Sequence, residues 1–199
     1  NALRLQLPKD VNIHGIITDG GVAANVIPDY AAGRFYLRAG NRQTLDKVYE
    51  KVENIVRGAA ISTGTTFEFG LFQNAVDDVI VTPSFDDLFF QHAKEAGVPD
   101  EEIETEQRTS LGSSDVGNVS QVIPTIQPTV AISETYIAGH TEEFKAAAKS
   151  DKGLASIAIA AELLANTALD LLKEPKLLER IKQEHQEIVA RKKQEGATF

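Results

Sequence analysis

Polar and apolar residues alternate in two short segments near the start of the chain, over residues 11–17 and 34–38. A period of two is typical of a strand with one buried face. Between these segments, residues 20–29 begin with two glycines, which permit left-handed backbone, and include Pro28, which cannot donate to a ladder. The pattern therefore predicts two adjacent half-buried strands joined by a turn.

Helical spacing of apolar residues begins after Asn41 and continues from Leu45 to Ala59. Gly64 stands where a helix commonly ends in a left-handed residue. Residues 65–72 alternate again and predict a third strand, whereas residues 1–7 are typical of the end of a helix. The order strand, strand, helix, strand indicates most of a split βαβ sandwich of ferredoxin-like type.

The second half of the chain is richer in helical patterns. Residues 77–84 predict a crossing into a second unit, and residues 85–96 predict a helix that a Gly-Val-Pro sequence ends. A later amphipathic helix has a stripe of small and apolar residues that suits close packing against a sheet. This stripe consists of Leu154, Ile157, Ala158, Ala161, Ala165, Ala168, Leu169 and Leu172. The charged tail from Pro175 predicts a solvated terminal helix.

The composition, with 42% apolar and 25% charged residues among 199, is that of an ordinary globular protein. The absence of cysteine removes disulfides and thiolate chemistry, so any metal must be bound by His, Asp or Glu. A net charge of −9 disfavours nucleic acid and anionic membranes as partners. The absence of methionine indicates that residue 1 is a cut within a longer protein.

The most apolar stretch, residues 154–172, contains Glu162, Asn166 and Asp170. We take these polar residues to exclude a membrane span, and we find no secretory leader. Localisation in the cytoplasm is therefore the expectation.

One of the four histidines stands in a context that favours chemistry. His140 follows Gly139 and precedes an acidic helix start, so its ring can project from a loop as a metal ligand or an acid–base group. The alternative is an ordinary loop histidine near a helix N-terminus. His14 suits a structural role in a strand, and His92 and His185 suit surface positions.

Two further groups could bind an anion. Arg34 and Arg38 share one face of a strand near the turn that contains Asn25, and a guanidinium there could hold a carboxylate through two hydrogen bonds. An exposed strand face is the simpler interpretation of these arginines. Residues 112–115, Gly-Ser-Ser-Asp, offer backbone amides and hydroxyls that could receive an anionic group.

Three segments together resemble a known family. Residues 14–30, HGIITDGGVAANVIPDY, resemble the lid, or dimerisation, domain of metallopeptidase family twenty, which includes aminoacylase, succinyl-diaminopimelate desuccinylase and carboxypeptidases. Residues 112–120, GSSDVGNVS, and 139–144, GHTEEF, resemble its two C-terminal motifs. The residues of these motifs are most similar to those of the branch with the aminobenzoyl-glutamate hydrolase B subunit and β-alanyl-lysine dipeptidase. The resemblance covers only the family's C-terminal portion.

The resemblance implies roles for particular residues. His140 is the implied metal ligand, and Asn25 and Arg38 are implied to reach substrate oxygens or a carboxylate from the lid. The pocket for the substrate's carboxylate end is implied to be lined by Gly112, Ser113 and Ser114. Gln127 departs from the pattern, because this branch has histidine before the proline.

The resemblance also implies an α/β fold. Residues 1–78 correspond to a ferredoxin-like α+β lid without its first strand and helix start. Residues 79–199 correspond to the C-terminal part of an α/β metallohydrolase catalytic domain, with its last sheet segment. In the family, two divalent ions, zinc or else manganese or cobalt, activate a water and a glutamate is the general base. Those other ligands precede the lid and are not found here. A homodimer through the lid is also implied.

Two hypotheses follow. The chain is the C-terminal part of a metal-dependent amidohydrolase or dipeptidase that cleaves an N-acyl amino acid or dipeptide, or it is a non-catalytic dimerisation and substrate-lid module. For these 199 residues alone we predict neither tight zinc binding nor amide hydrolysis. Aminobenzoyl-glutamate, β-alanyl dipeptides and other N-acyl amino acids remain open as substrates.

Overall fold

The computed structural model describes residues 3, 5–105 and 112–196. The chain divides into two compact units, Asn1–Asp78 and Val79–Phe199. Each unit is described by itself below. Their interpretation as a lid and as part of a catalytic domain stays a prediction.

The first unit begins with an antiparallel hairpin of β1 (Asn12–Asp19) and β2 (Ala32–Arg38). Asn12 pairs with Arg38, and the register is irregular between Ile17 and Asp19. The predicted pair of strands is therefore confirmed. The expected half-burial is wrong, because most residues of both strands are exposed. The sheet has two strands, and α1 packs against β2 among the described residues, while large side chains of β1 such as Ile16 and Ile17 stay exposed.

Helix α1 (Arg42–Thr63) follows the hairpin and has the ends that its sequence predicts. The side chain of Asn41 accepts a hydrogen bond of 2.8 Å from the Thr44 N–H, which caps the first turn. Gly64 ends the helix with φ of 67°, and its N–H donates to carbonyls of the last turn. Val48 is the most buried apolar residue of this helix. The local capping signals thus set both helix boundaries.

The predicted third strand is wrong, because residues 65–72 form no ladder. Two aromatic side chains of this segment contact α1 instead. The Phe69 ring lies 5.0 Å from that of Tyr49, and the Arg57 guanidinium lies 5.6 Å from the Phe67 ring. Among the described residues no ladder includes this segment, and its alternating Phe67 and Phe69 pack on α1.

The predicted helix end at residues 1–7 is also not observed. In its described part, the Gln6 N–H donates to the Leu3 carbonyl at 2.8 Å and closes a turn. Asn1, Ala2 and Arg4 lie outside the described residues. A mixture of helices with a small antiparallel sheet is compatible with the α/β class, but the split βαβ arrangement is not confirmed.

The described part of the second unit is helical. Its helices are α2 (Pro83–Glu95), α3 (Val116–Ser120), α4 (Glu142–Ala148), α5 (Asp151–Lys173) and α6 (Pro175–Gly196), with a 3-10 turn at Asp100–Glu102. The predicted helix over residues 85–96 is confirmed and begins at Pro83, which suits a first helical turn. The last sheet segment expected within residues 79–199 is not observed in the described part of this unit, which forms helices and irregular chain.

The core of the second unit lies where α2 meets α5. Phe89 and Ala93 of α2 are buried with Leu163 of α5, and Phe90 and Ile126 pack around them. Burial of these apolar side chains is the main source of stability in a unit of this kind.

Helix α5 is oriented differently from the prediction. Its buried residues are Gly153, Ser156, Leu163 and Thr167. Every member of the predicted stripe, from Leu154 to Leu172, is exposed. The face that contains Gly153 is buried because glycine allows the end of α4 to approach closely, and a Cβ at this position would collide with the α4 backbone. The residues of the predicted stripe are exposed instead.

On length and composition alone, α5 could cross a membrane, with a mean hydropathy of 1.5 over its most apolar window. The expectation that Glu162 and Asp170 exclude a membrane span on the basis of composition is therefore wrong. One such helix is weak evidence, because core helices of soluble proteins have the same length and composition.

Helix α6 is more than a solvated tail. Ile181 is 1% exposed and His185 is 2% exposed, one helical turn apart on the same face. The helix packs against α2 and α5. The surface position predicted for His185 is therefore wrong, and so is that of His92, which is 7% exposed on α2.

Candidate functional site

The loop at residues 112–115 is held by its own backbone and by Gln127. The Ser114 carbonyl accepts from the Gly117 N–H at 3.0 Å, which leads the chain into α3. The Ser114 hydroxyl accepts from the Val116 N–H at 3.3 Å and from Nε2 of Gln127 at 3.4 Å. Gly112 and Ser113 are exposed. Gln127, the residue that departs from the family pattern, is thus brought to one of the predicted site residues.

Helix α3 anchors this loop to the start of the second unit. The buried Ser120 hydroxyl donates to the Gly117 carbonyl at 2.6 Å and accepts from the Ile80 N–H at 2.9 Å. The two bonds satisfy donors and acceptors that would be costly to bury unpaired. They position the loop against residues next to α2.

His140 has an unusual backbone. Its φ of 63° is left-handed, and no other non-glycine residue in the described part of the chain has a positive φ. Such a conformation costs a residue with a Cβ roughly 1–2 kcal/mol. The next residue, Thr141, caps α4 by accepting from the Phe144 N–H at 3.2 Å, while its hydroxyl donates to the Ala138 carbonyl at 2.8 Å. The exposed imidazole of His140 therefore extends from a loop that the two hydrogen bonds of Thr141 hold in place.

Asn25 and Arg38 are not placed side by side by the hairpin ladder. Asn25 lies in the exposed connection between β1 and β2, which enters β2 at Ala32. Arg38 ends β2 and pairs with Asn12 at the opposite end of the ladder, about 20 Å away at about 3.3 Å per residue. Arg34 is nearer to the connection, but its guanidinium lies over the Phe72 ring at 5.9 Å.

A metal centre at His140 would need further ligands besides this histidine. Within residues 3, 5–105 and 112–196, no three or more His, Asp or Glu side chains are grouped so that they could hold a metal ion. His140 would supply one ligand, whereas a catalytic zinc site uses about three protein ligands. The described residues therefore do not by themselves fit a metal centre.

Another group of buried polar contacts of the second unit was not predicted from the sequence. His185 Nδ1 is 2.9 Å from the hydroxyl of Thr82, and both residues are buried. Burial lowers the pKa of His185 from its ordinary value of 6.5, because the charged imidazolium loses hydration. Ser84 donates to the Glu184 carboxylate next to this pair. The signal that could have found these contacts is the helical spacing of Ile181 and His185.

Burial also acts on a carboxyl of α2. It raises the pKa of Asp86, and the neighbouring charge of Asp87 raises it further. Asp86 lies in the first turn of α2, where a carboxylate is favoured by the helix dipole. This arrangement belongs to the start of α2.

No family model matches the chain, but individual proteins do. Human Xaa-Arg dipeptidase is 32% identical over 184 residues, which are 92% of this chain and 42% of that protein. Mouse Xaa-Arg dipeptidase is 33% identical over the same coverage. The p-aminobenzoyl-glutamate hydrolase B subunit from Escherichia coli K12 is 22% identical over 244 residues, which are 94% of this chain and 50% of that protein.

The chain is related to metallopeptidase family twenty. This family is the one that the segments 14–30, 112–120 and 139–144 resemble. The chain spans about half the length of the curated relatives it matches, or less. The roles of Asn25, Arg38, residues 112–114 and His140 stay predictions.

Proposed function

We propose that this chain is part of a family-twenty amidohydrolase or peptidase that hydrolyses the amide bond of an N-acyl amino acid or a dipeptide. In this reaction water adds across the C–N bond and releases a carboxylate and an amine. The observation that carries the proposal is the match of 92% of the chain to the Xaa-Arg dipeptidases. Dipeptides ending in arginine are therefore the first substrates to test, followed by aminobenzoyl-glutamate and β-alanyl dipeptides.

The residues of this chain would bind and orient the substrate. Arg38 makes no ion pair with any residue that the structure describes, so its guanidinium is available for a carboxylate. The loop of residues 112–114 offers backbone amides and hydroxyls for the same type of group, and Gln127 steadies it through Ser114. Asn25 is proposed to contact the substrate from the hairpin connection.

Zinc, with manganese or cobalt as alternatives, remains the proposed cofactor of the longer protein. The residues described here do not fit such a centre alone, so we derive no reaction step through it. His140 is proposed as one ligand, and the others would come from the rest of the protein. A homodimer through residues 1–78 and a cytoplasmic location are proposed as the sequence analysis expects them. The net charge of −9 supports the proposal that nucleic acid and anionic membranes are not partners.

A second candidate starts from the fact that the chain spans only 42% of the length of the Xaa-Arg dipeptidases it matches. Here the chain is a non-catalytic dimerisation and substrate-lid module. The two candidates differ in whether the protein encoded by the complete reading frame hydrolyses amides.

The test is to purify that complete protein and measure release of arginine from Xaa-Arg dipeptides, with Arg38→Ala and Arg34→Ala as a matched pair on one strand face. Loss of a charge-assisted hydrogen bond costs about 1.5–3 kcal/mol, so Arg38→Ala should raise KM by about 10-fold or more. Arg34→Ala should leave KM unchanged. Equal kinetics for the two variants would return Arg38 to a surface role, and no hydrolysis of any of the three substrate classes would favour the non-catalytic module.

Metal content tests His140 separately. In the complete protein, His140→Ala should lower the bound zinc per chain, whereas the exposed strand residue His14, changed to Ala, should not. Full zinc occupancy in His140→Ala, measured by elemental analysis, would remove His140 from the ligands.

A further inference from the structure

A cavity of about 270 Å³ is lined by one face of α6 and by residues 121–122, which follow α3. The proposed function does not use this cavity. Its α6 wall consists of His185, Gln186, Val189, Ala190 and Lys193. Positions 185, 189 and 193 recur at a spacing of four residues, so they lie above one another on the same face of the helix.

One nitrogen of the His185 ring has no hydrogen-bond partner among the described residues. The residue is 2% exposed, and its Nδ1 atom lies 2.9 Å from the Thr82 hydroxyl. The other nitrogen, Nε2, is buried without a partner. Buried polar atoms of native proteins are nearly always hydrogen-bonded, so a partner is expected at Nε2. Because His185 also lines the cavity, the cavity is the space from which that partner can approach.

The contact with Thr82 decides what Nε2 offers to a partner. Burial lowers the pKa of His185, so the ring is neutral near neutral pH and has one N–H. The Thr82 hydroxyl is also buried, and among the described residues its only acceptor is Nδ1. Donation from this hydroxyl to Nδ1 satisfies both atoms and leaves the ring proton on Nε2. Nε2 is then a donor, and the partner that it needs is an acceptor oxygen.

The charges around the cavity favour an acceptor that is negative. Among the described residues that line the cavity, Lys193 carries the only charge. Glu184 and Glu187 flank His185 on α6, but both accept hydrogen bonds from residues outside the cavity wall. An ammonium group and an imidazole N–H at one cavity suit a carboxylate, which accepts through two oxygens.

The size and the apolar part of the wall limit the ligand. The volume of about 270 Å³ lies just below the roughly 300–1,000 Å³ typical of pockets for drug-sized ligands. Val122, Val189 and Ala190 supply aliphatic surface. We propose that the cavity binds a small aliphatic carboxylate, whose oxygens accept from Nε2 of His185 and from Nζ of Lys193. This group belongs either to a free acid or to the C-terminal residue of a peptide.

The test is to titrate the 199-residue chain with butyrate and to follow its backbone amides by proton–nitrogen NMR. Butyrate should shift the signals of Val189 and Ala190 until they saturate. Butyramide has the same chain without the charge and should bind about 10-fold more weakly, because charge-assisted hydrogen bonds are the stronger ones. Equal affinities for butyrate and butyramide, or butyrate shifts confined to other parts of the chain, would overturn the proposal.

A second probe distinguishes the two sources of the carboxylate. N-acetyl-alanyl-valine presents the group at the end of a peptide, whereas butyrate is a free acid. Saturation of the Val189 and Ala190 signals by either compound supports the site, and the compound that binds more tightly identifies the source. Saturation by neither would overturn it.

Two lysine variants separate the cavity from general effects of charge. Lys193→Gln removes the cation from the wall and should raise the Kd for butyrate by about 2- to 5-fold, the range expected for an exposed ion pair. Lys176→Gln changes an exposed lysine near the other end of α6 and should leave this Kd unchanged. Equal changes in the two variants would contradict the site. His185→Phe should abolish binding, and if it unfolds the chain, the lysine pair and butyramide still decide the proposal.

Discussion

The two units of this chain are built on different kinds of information. In the first, local signals define the elements: an alternating hairpin, a helix with an Asn cap at one end and a left-handed glycine at the other. Large apolar side chains such as Ile16 and Ile17 nevertheless remain exposed. In the second, helices bury a compact core and several polar side chains with their partners. Local signals can thus specify an element without burying it, whereas burial depends on neighbours.

The largest effect should come from the core of the second unit. Leu163 is 2% exposed, so Leu163→Ala should lower the free energy of unfolding by about 2–5 kcal/mol, because it removes apolar contacts and leaves a cavity. Leu172 of the same helix is 78% exposed, and Leu172→Ala should change the free energy of unfolding by about 0.5 kcal/mol or less. Urea denaturation measures both. Similar losses at the two positions would contradict the buried face assigned to α5.

A smaller loss is expected at the buried polar contact between α2 and α6. Thr82→Val keeps the shape of the side chain but leaves Nδ1 of His185 without its partner, which should cost about 1–3 kcal/mol. Thr129 is exposed, and Thr129→Val serves as the control with little change. If Thr82→Val leaves the free energy of unfolding in urea unchanged, the hydrogen bond between Thr82 and His185 contributes nothing to stability.

The stability of the second unit should depend on pH through the buried His185. Because burial lowers the pKa of His185 below 6.5, the folded chain binds this proton less readily than the unfolded chain. Its contribution to stability is therefore complete above about pH 6.5 and is lost as the pH falls through the lower folded value. His185→Phe should reduce the acid loss of stability, and His140→Gln, at an exposed position, should not. Thermal unfolding between about pH 4 and 7 decides this, and an unchanged acid slope in His185→Phe would contradict it.

The smallest effects should come from single backbone positions of the first unit. Gly64 has φ of 67° with open space around it, so Gly64→Ala should cost about 1–2 kcal/mol through backbone strain alone. Gly58 lies inside α1, also in open space, and Gly58→Ala should stabilise by about 0.5–1 kcal/mol. The two changes are chemically identical and opposite in expected sign. Thermal unfolding that shows the same sign for both would mean that α1 does not end at Gly64.

The parts of the fold that could be predicted are those that short segments determine. The caps at Asn41 and Gly64 and the alternation of the hairpin act over a few residues, and the predicted boundaries match. The prediction of a third strand was wrong because it, too, relied on a short segment alone. Alternation in residues 65–72 satisfies packing on α1 equally well, so the pattern alone does not identify a strand.

The candidate site was predictable only as a set of motifs. The segments around Asn25, residues 112–114 and His140 led to the family that the comparisons support. Their spatial relation was not predictable: the strand ladder places Arg38 at the end away from the connection that holds Asn25. The contact of Gln127 with Ser114 joins positions 13 residues apart through irregular chain, which no periodic pattern signals.

The sequence by itself determined the family relationship, the hairpin, and the presence of the long helices, with both boundaries of α1, because these depend on motifs and on interactions between near neighbours. Only the tertiary structure decided which face of α5 is buried and where His92 and His185 lie. The apolar stripe of α5 is the more hydrophobic face, yet Gly153 and Leu163 are the residues that meet α4 and α2. Burial requires a neighbour of matching shape as well as apolar side chains, and that neighbour is specified elsewhere in the chain.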